Sequence, residues 1–505
     1  MLKSACVVLL LALTPACSPA SNCCDPDITD LPTDAVPADT AADAADGSDA
    51  KEAPMPRLHA EGPQIVDEDG TVVRLMGVNL GAWLYVETWI TLMDYDLKGR
   101  AWQVVADAGH EQLATDAYLA ADASQGDWLE AFAAKLADTL GQETADALVG
   151  QIQALQPYAS DDSDKPLFDL LEQRFGVEGR DALLSDFLDA WVTEQDIAWI
   201  AQQGFNVVRV PMGFRMLIAG SHLDAIDAVS PNPVAFDAIA RLLDWCRKYR
   251  VWAVLDLQES PGGHNGYSGE PTLYVDPAMQ QLTVDLWLEI SRTFRQHDAV
   301  AALSLLAEPM GAPGPAERDA VYDMLVTALR ADGDDRLLVI HDGFFGMATL
   351  PDPKDMGWDQ VVYSTHLFEW KALSLAAWEL LVKGVYPELV AKPQEAHDVP
   401  YYIGSFSTRV DAPWSYDATS MLVSWLRDEG WSWSVWTLKR IDDPVDFVVA
   451  GSTSAYGVWT WSGPKLDRPD LHLDDFDTLS DKFSGYASFP FAPNTKLVDA
   501  LVSGL

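Results

Sequence analysis

The sequence predicts a (β/α)8 barrel with a long helical insertion after its first strand, carried on a disordered acidic tether. Two observations carry the barrel. Eight short β-rich runs recur with helical patterns between them, and polar, chemistry-bearing residues gather where those runs end. A third carries the insertion: about 100 residues of helical periodicity separate the first run from the second.

In chain order, residues 1–16 read as an export signal. Lys3 gives the positive start, Val7 to Leu13 an apolar run too short to span a bilayer, and Thr14-Pro15-Ala16 a small-residue end. Cys17 then stands as the candidate lipidation site of a lipoprotein, and cleavage after Ser18-Pro19-Ala20 is the alternative. Either way the protein is expected to be exported: lipid-anchored in a bacterial cell envelope, or else secreted or periplasmic. Residues 17–56 form the tether. From Asp25 to Pro54 the chain is rich in Asp, Ala, Pro and Thr and holds no aromatic residue, so it cannot bury enough apolar surface to offset its ordering entropy.

The folded part is expected over 57–505. Its strands are predicted at Val72–Leu80, Asn206–Met212, Val251–Leu257, Ala301–Leu306, Arg336–His341, Val361–Phe368, Tyr401–Phe406 and Trp433–Leu438. The insertion, 92–190, repeats apolar residues at helical spacing: Trp128, Phe132, Leu136 and Leu140, then Leu148, Ile152 and Leu155. It is read as a cap beside the barrel mouth, either a packing decoration or a substrate lid. Cys246 is the one cysteine of the folded part and reads as a small core residue.

Composition excludes partners. With 77 acidic against 33 basic residues and a net charge of −44, the chain has no basic patch for nucleic acid or anionic lipid. The only membrane contact expected is through the lipid anchor. None of the nine histidines falls into a metal-ligand spacing, so neither metal nor cofactor is proposed. Nearly half of the residues are hydrophobic, with 19 Trp, 17 Phe and 15 Tyr, which supports a large core.

The motifs at the strand ends are Arg74-Leu75-Met76-Gly77-Val78-Asn79-Leu80-Gly81-Ala82-Trp83, Gly204-Phe205-Asn206-Val207-Val208-Arg209-Val210-Pro211 and Asp256-Leu257-Gln258-Glu259-Ser260-Pro261-Gly262-Gly263-His264-Asn265-Gly266. Leu306-Ala307-Glu308-Pro309, His366-Leu367-Phe368, Ile403-Gly404-Ser405-Phe406 and Trp433-Ser434-Val435-Trp436-Thr437 follow. In order and at barrel spacing, these resemble glycoside hydrolase family 5, the cellulases and exo-1,3-β-glucanases. The resemblance implies hydrolysis of a β-linked oligo- or polysaccharide with retention, by two glutamates about 5–5.5 Å apart.

Carried over residue by residue, the resemblance implies that Glu308 is the acid/base. Arg209 is the arginine that holds the nucleophile, His366 the histidine that orients the glutamates, and Trp436 the platform under the sugar. Asn265 joins these as a substrate-binding residue. Four positions depart from the pattern: Gln258 replaces a histidine, Ala307 the asparagine that binds the 2-hydroxyl, Phe368 a tyrosine, and Ser405 the nucleophile. Each change removes capacity for the retaining reaction, and Arg209 is expected to face no carboxylate.

Three readings follow. The first is a glycan-binding pseudoenzyme. The second is an active hydrolase that works with water near Ser405 or with a substitute carboxylate, of which Glu369, Glu259 and Asp342 are candidates by strand position. The third is a structural envelope protein. Two of the assignments have plainer alternatives: Glu308 as a buried acid satisfied by His366 or Arg209, and Trp436 as barrel core. Trp83, Trp89, Trp370 and Trp461 either stack on sugars or pack.

Overall fold

Eight parallel strands close into a barrel: β1 (Met76–Asn79), β2 (Val207–Gly213), β3 (Trp252–Glu259), β4 (Val300–Ser304), β5 (Leu337–His341), β6 (Val361–Phe368), β7 (Tyr401–Ser407) and β8 (Ser432–Val435). Each pairs with its neighbours in sequence, and β8 closes on β1 through Trp433↔Met76, Ser434↔Gly77 and Val435↔Val78. The computed structural model describes residues 54–505 apart from 92, 94–96, 123–127, 155–162, 224–225, 267–270, 369–371, 373, 409–411, 442–456, 462–468, 472–473, 490 and 504–505. The export signal, Cys17 and the tether up to residue 53 lie outside the described residues.

The predicted strands meet the observed ones within a few residues because each is a continuous apolar run buried on both faces, as a parallel sheet requires. The first is the exception. Val72 to Leu75 lie outside the barrel ladder, and Val72 makes only an isolated bridge to Val66. That bridge reaches a hairpin, His59–Glu61 with Gln64–Val66, that was not among the predicted elements. Leu58 and Ile65 beside it pack on the inward side chains of Leu75, Val207, Val254, Val339, Val362 and Tyr402, so the hairpin plugs the amino-terminal end of the barrel.

Helix starts are written locally. Asn232 and Asp276 each accept the backbone N–H two residues on, and a proline follows at the first helical position of Pro233–Lys248 and of Pro277–Phe294. Such a side chain satisfies an otherwise orphaned N–H, while the proline has none to lose. Cys246 is fully buried on the inner face of the first of these helices, and burial pushes its thiol pKa up.

The insertion is helical as predicted: α1 (Leu97–Asp107), α2 (Glu111–Asp122), α3 (Trp128–Leu140), α4 (Gln142–Ala154) and α5 (Lys165–Trp191). α1 to α4 share a core of their own, with Trp102, Phe132, Leu136, Leu148 and Ile152 buried together and apart from the barrel core. α5 belongs to the main core through Phe168, Leu171, Phe187 and Trp191. It breaks at Gly176, whose φ of 73° only glycine adopts without strain. Among the described residues no helix is long and apolar enough to cross a membrane.

The β1–β2 contact sets a strict steric limit. A Cβ at Gly77 would lie 1.8 Å from the Val207 carbonyl oxygen, which belongs to the ladder itself. Gly77→Ala is therefore expected to cost about 3 kcal/mol or more, at the upper end of overpacking penalties. Urea unfolding measures this, and an unchanged midpoint would contradict the pairing.

Candidate active site

At the carboxyl ends of the strands the barrel interior changes from apolar to polar. Arg209 on β2 is 1% exposed. A buried guanidinium needs a counter-charge and hydrogen-bond acceptors, and it has both. Its Nη1 donates to Asn79 Oδ1 at 2.7 Å, and its Nη2 donates to Asp256 Oδ2 at 2.7 Å and more weakly to Gln258 Oε1 at 3.4 Å. This corrects the expectation that Arg209 faces no carboxylate: it is paired with Asp256, one strand away. Burial pushes the Asp256 carboxyl up, and the Arg209 charge opposes that shift.

Asn79 at the end of β1 extends the network. Its Nδ2 donates to the carbonyls of Gly404 at 3.2 Å, Ser434 at 3.3 Å and Val435 at 3.0 Å. One side chain thus joins β1, β2, β7 and β8. Sequence reasoning gave Asn79 and Asp256 no role. The available signal was a lone polar residue at the mouth end of each apolar run.

Glu308 follows β4 in a left-handed backbone conformation, φ 51°, which a non-glycine residue adopts only when its surroundings hold it there. Two histidines do so. His366 on β6 donates Nδ1–H to Glu308 Oε1 at 2.6 Å. His264, another residue without a predicted role, bonds the Ala307 carbonyl through Nε2 at 2.6 Å, and its Nδ1 accepts the Ser260 N–H at 3.2 Å. Burial lowers the His264 pKa to about 4. Burial, then the Arg209 charge, holds His366 well below the usual imidazole range, so both rings are neutral near pH 7. His341 on β5 packs edge-to-face on His366 with ring centroids 4.4 Å apart, and its Nδ1 accepts the Gly343 N–H at 2.9 Å.

The substituted positions sit among these groups. Ser405 is the β7 neighbour of His366 in the ladder, after a register shift, and is 2% exposed. Its Oγ has no hydrogen-bond partner among the described residues. Ala307 is buried beside Glu308, and Phe368 lies edge-on to His366 at 6.2 Å between ring centroids. Asn265 donates to the Gln258 carbonyl at 3.0 Å. Trp436 is 7% exposed, and its ring lies so close to Gly81 that a Cβ there would come within 3.2 Å of it. Trp83 packs in the core with its indole N–H on the Leu188 carbonyl; the side chains of Trp89, Trp370 and Trp461 lie outside the described residues.

The substitute carboxylates fare differently. Glu369 lies outside the described residues. Glu259 is fully buried and accepts from Arg215 Nη1 at 2.8 Å. Asp342 accepts the Phe344 N–H at 3.1 Å within its own turn, and burial pushes its carboxyl up to about 6. Glu259 and Asp342 are thus both buried and hydrogen-bonded where they stand. Among the described residues no cluster of three or more His, Cys, Asp or Glu side chains suits a metal ion.

Arg215 also serves Asp164, the residue before α5, at 3.2 Å, so two buried carboxylates share one guanidinium. Burial and then the Glu259 charge push the Asp164 carboxyl up to about 7, and Tyr85 and Glu87 face the same cluster. Asp164 is therefore protonated in the fold at a pH where the unfolded chain has released the proton. Its contribution is fully present below about pH 4 and is lost as the pH rises through 7, at up to about 1.4 kcal/mol per unit. Asp164→Asn is expected to remove that slope, so its melting temperature should gain on the parent's between pH 5 and 8. Parallel curves would contradict the buried pair. A second expectation concerns the floor: Asp256→Asn leaves Arg209 without its counter-charge and should cost about 3–5 kcal/mol in chemical unfolding.

Comparison with known proteins bears on the same region. Residues 168–441 match the family model for cellulase, glycosyl hydrolase family 5. Glucan 1,3-beta-glucosidase 2 of Saccharomyces cerevisiae is 27% identical over 238 residues, 42% of this chain and 42% of that protein. Endoglucanase C of Acetivibrio thermocellus is 27% identical over 187 residues, 36% of this chain and 52% of that protein. The chain thus spans about half the length of these relatives. Among solved structures, an endogalactoceramidase aligns over 84% of this chain and 85% of its own, at 15% identity and a TM-score of 0.48. With the family model covering more than half of its residues, the chain belongs to the cellulase family, glycosyl hydrolase family 5.

Proposed function

We infer that this chain binds a β-linked glucan or related polysaccharide in the barrel mouth and has lost the retaining hydrolysis of its family. The observation that carries the reading is Ser405 at the position that the resemblance assigns to the nucleophile, its Oγ without a hydrogen-bond partner among the described residues, while Arg209 is neutralised by Asp256. A serine supplies no anion at neutral pH, and the carbonyl chemistry for which a base activates serine is the wrong reaction for an acetal. Phe368 offers no hydroxyl and Ala307 no amide to the transition state. What remains, Glu308 on His366 and the indole of Trp436 at the end of β8, suits recognition by a directed polar group and an aromatic face. The relatives' names support a β-glucan as ligand. The export signal, Cys17 anchor and acidic tether belong to the same proposal, placing the barrel in the cell envelope, where a polysaccharide partner is at hand.

The purified domain from residue 57 is expected to hydrolyse laminarin and aryl β-glucosides slower than an ordinary glycosidase by roughly 10⁶-fold, the scale of losing a catalytic nucleophile. Turnover on the order of 10 per second would overturn the reading. Calorimetry with laminari-, cello- and manno-oligosaccharides should show weak binding that Trp436→Ala reduces. No heat with any of them would favour a purely structural barrel.

A further inference from the structure

Two chain crossings join the helical insertion to the barrel, and both meet on one buried group of charges. The outgoing crossing carries Tyr85 and Glu87 after β1, ahead of the short helix Thr88–Thr91. The returning one carries Asp164, the residue before α5. The barrel supplies Arg215 beyond β2 and Glu259 at the end of β3. Gly213 lies under them: its N–H donates to the Leu84 carbonyl at 2.9 Å, and a Cβ on it would come within 2.8 Å of Asp164 Oδ2 and 2.9 Å of Tyr85 Cδ2. Asp164 and Glu259 are both fully buried, and Arg215 faces both: its Nη1 donates to Glu259 Oε2 at 2.8 Å and to Asp164 Oδ1 at 3.2 Å. One guanidinium cannot balance two buried carboxylates, whereas one proton held by the pair completes the balance. Asp164 is where it sits. Its Oδ2 is buried with no hydrogen-bond partner among the described residues, a place where burial heavily penalises an anionic oxygen.

We propose that Asp164 is a proton-operated latch at the root of the insertion, closed while its carboxyl is protonated and opened by loss of that proton to solvent. In the closed state the neutral carboxyl rests on Gly213 with Tyr85 and Arg215 beside it. Deprotonation leaves two anions on one guanidinium, with Glu87 a third carboxylate in the cluster. The Tyr85 hydroxyl, held neutral by burial and then by the Glu259 charge, brings no charge to offset them. Lys165, next along the chain, is half-exposed and paired with Asp169. Asp164 is the member with a way out, because Glu259 is part of a barrel strand while Asp164 heads a crossing between two helices. α5 itself stays in place. Phe168 and Leu171 lie in the main core, and Glu172 pairs with buried Arg180 across the break at Gly176 and accepts the His222 N–H at 2.9 Å. The latch therefore frees the chain ahead of α5, and with it the α1–α4 unit, which keeps a core of its own as it moves. Burial and then the Glu259 charge push the Asp164 carboxyl up to about 7, whereas an exposed aspartate titrates near 4. Opening thus rises by up to about tenfold per pH unit from about pH 4 to 7 and levels off above. The device works whether the barrel mouth hydrolyses a glycan or only binds one.

Hydrogen–deuterium exchange of the full chain between pH 5 and 8, corrected for the intrinsic pH dependence of exchange, reads the latch. Protection across residues 85–91 and 163–168 is expected to fall by more than about tenfold between pH 5 and 7 and little further to pH 8, while β5 and β6 keep theirs. Asp164→Asn keeps a neutral side chain of the same shape and should hold that protection flat across the range. Glu259→Gln leaves Arg215 to Asp164 alone and should move the fall to lower pH. No fall in the parent overturns the proposal, and so does an equal fall in Asp164→Asn or one that β5 and β6 share. Should Asp164→Asn fail to fold, a fall left at the parent's pH in Glu259→Gln overturns it instead.

Discussion

The polar floor of this barrel depends on how one buried guanidinium is satisfied. Arg209 carries a full positive charge at 1% exposure, and without a partner that charge would cost several kcal/mol. Asp256 neutralises it from β3 and Asn79 anchors it from β1. Because Asn79 also binds carbonyls on β7 and β8, the same pair helps close the barrel at its mouth. A residue without charge is tolerable at position 405 for this reason. The arginine that a nucleophile would have paired with is satisfied within the floor.

A second network sets Glu308. His366 bonds its carboxylate, His341 packs edge-to-face with that ring, and His264 holds the carbonyl of the preceding residue. Burial keeps these imidazoles neutral, so each acts as a directed donor or acceptor rather than as a charge. The φ of 51° at Glu308 is maintained by these contacts. The two networks are separable: one holds the floor charge-balanced, the other aims a carboxylate. Neither network draws on the side chain of Ser405, so the site is folded and oriented whether or not the proposed loss of the retaining reaction holds.

Much of this was legible beforehand. The eight strands are apolar runs that parallel pairing buries on both faces, so their positions came from pattern and spacing, while Arg209, Glu308, His366, Ser405 and Trp436 were singled out by the family resemblance of the motifs at their mouth ends. The partner of Arg209 did not. Asp256 lies 47 residues further along, and only the register Pro211↔Asp256 brings it beside the arginine. The separate core of α1 to α4 was hidden because periodicity reports a helix face and not what covers it. The run after β6 widens to π-helical turns at Leu381–Val385 and Pro387–Ala391, where Pro387 has no N–H to give to the regular ladder.

The claim that Asp256, and not position 405, neutralises Arg209 is tested most directly by a double-mutant cycle in chemical unfolding. Asp256→Asn should destabilise by exposing the arginine's charge, and Ser405→Glu by burying a second carboxylate beside a neutralised one. Together they should destabilise less than the sum by at least about 1 kcal/mol, because the introduced carboxylate takes over Arg209. Strict additivity of the two effects would contradict the account.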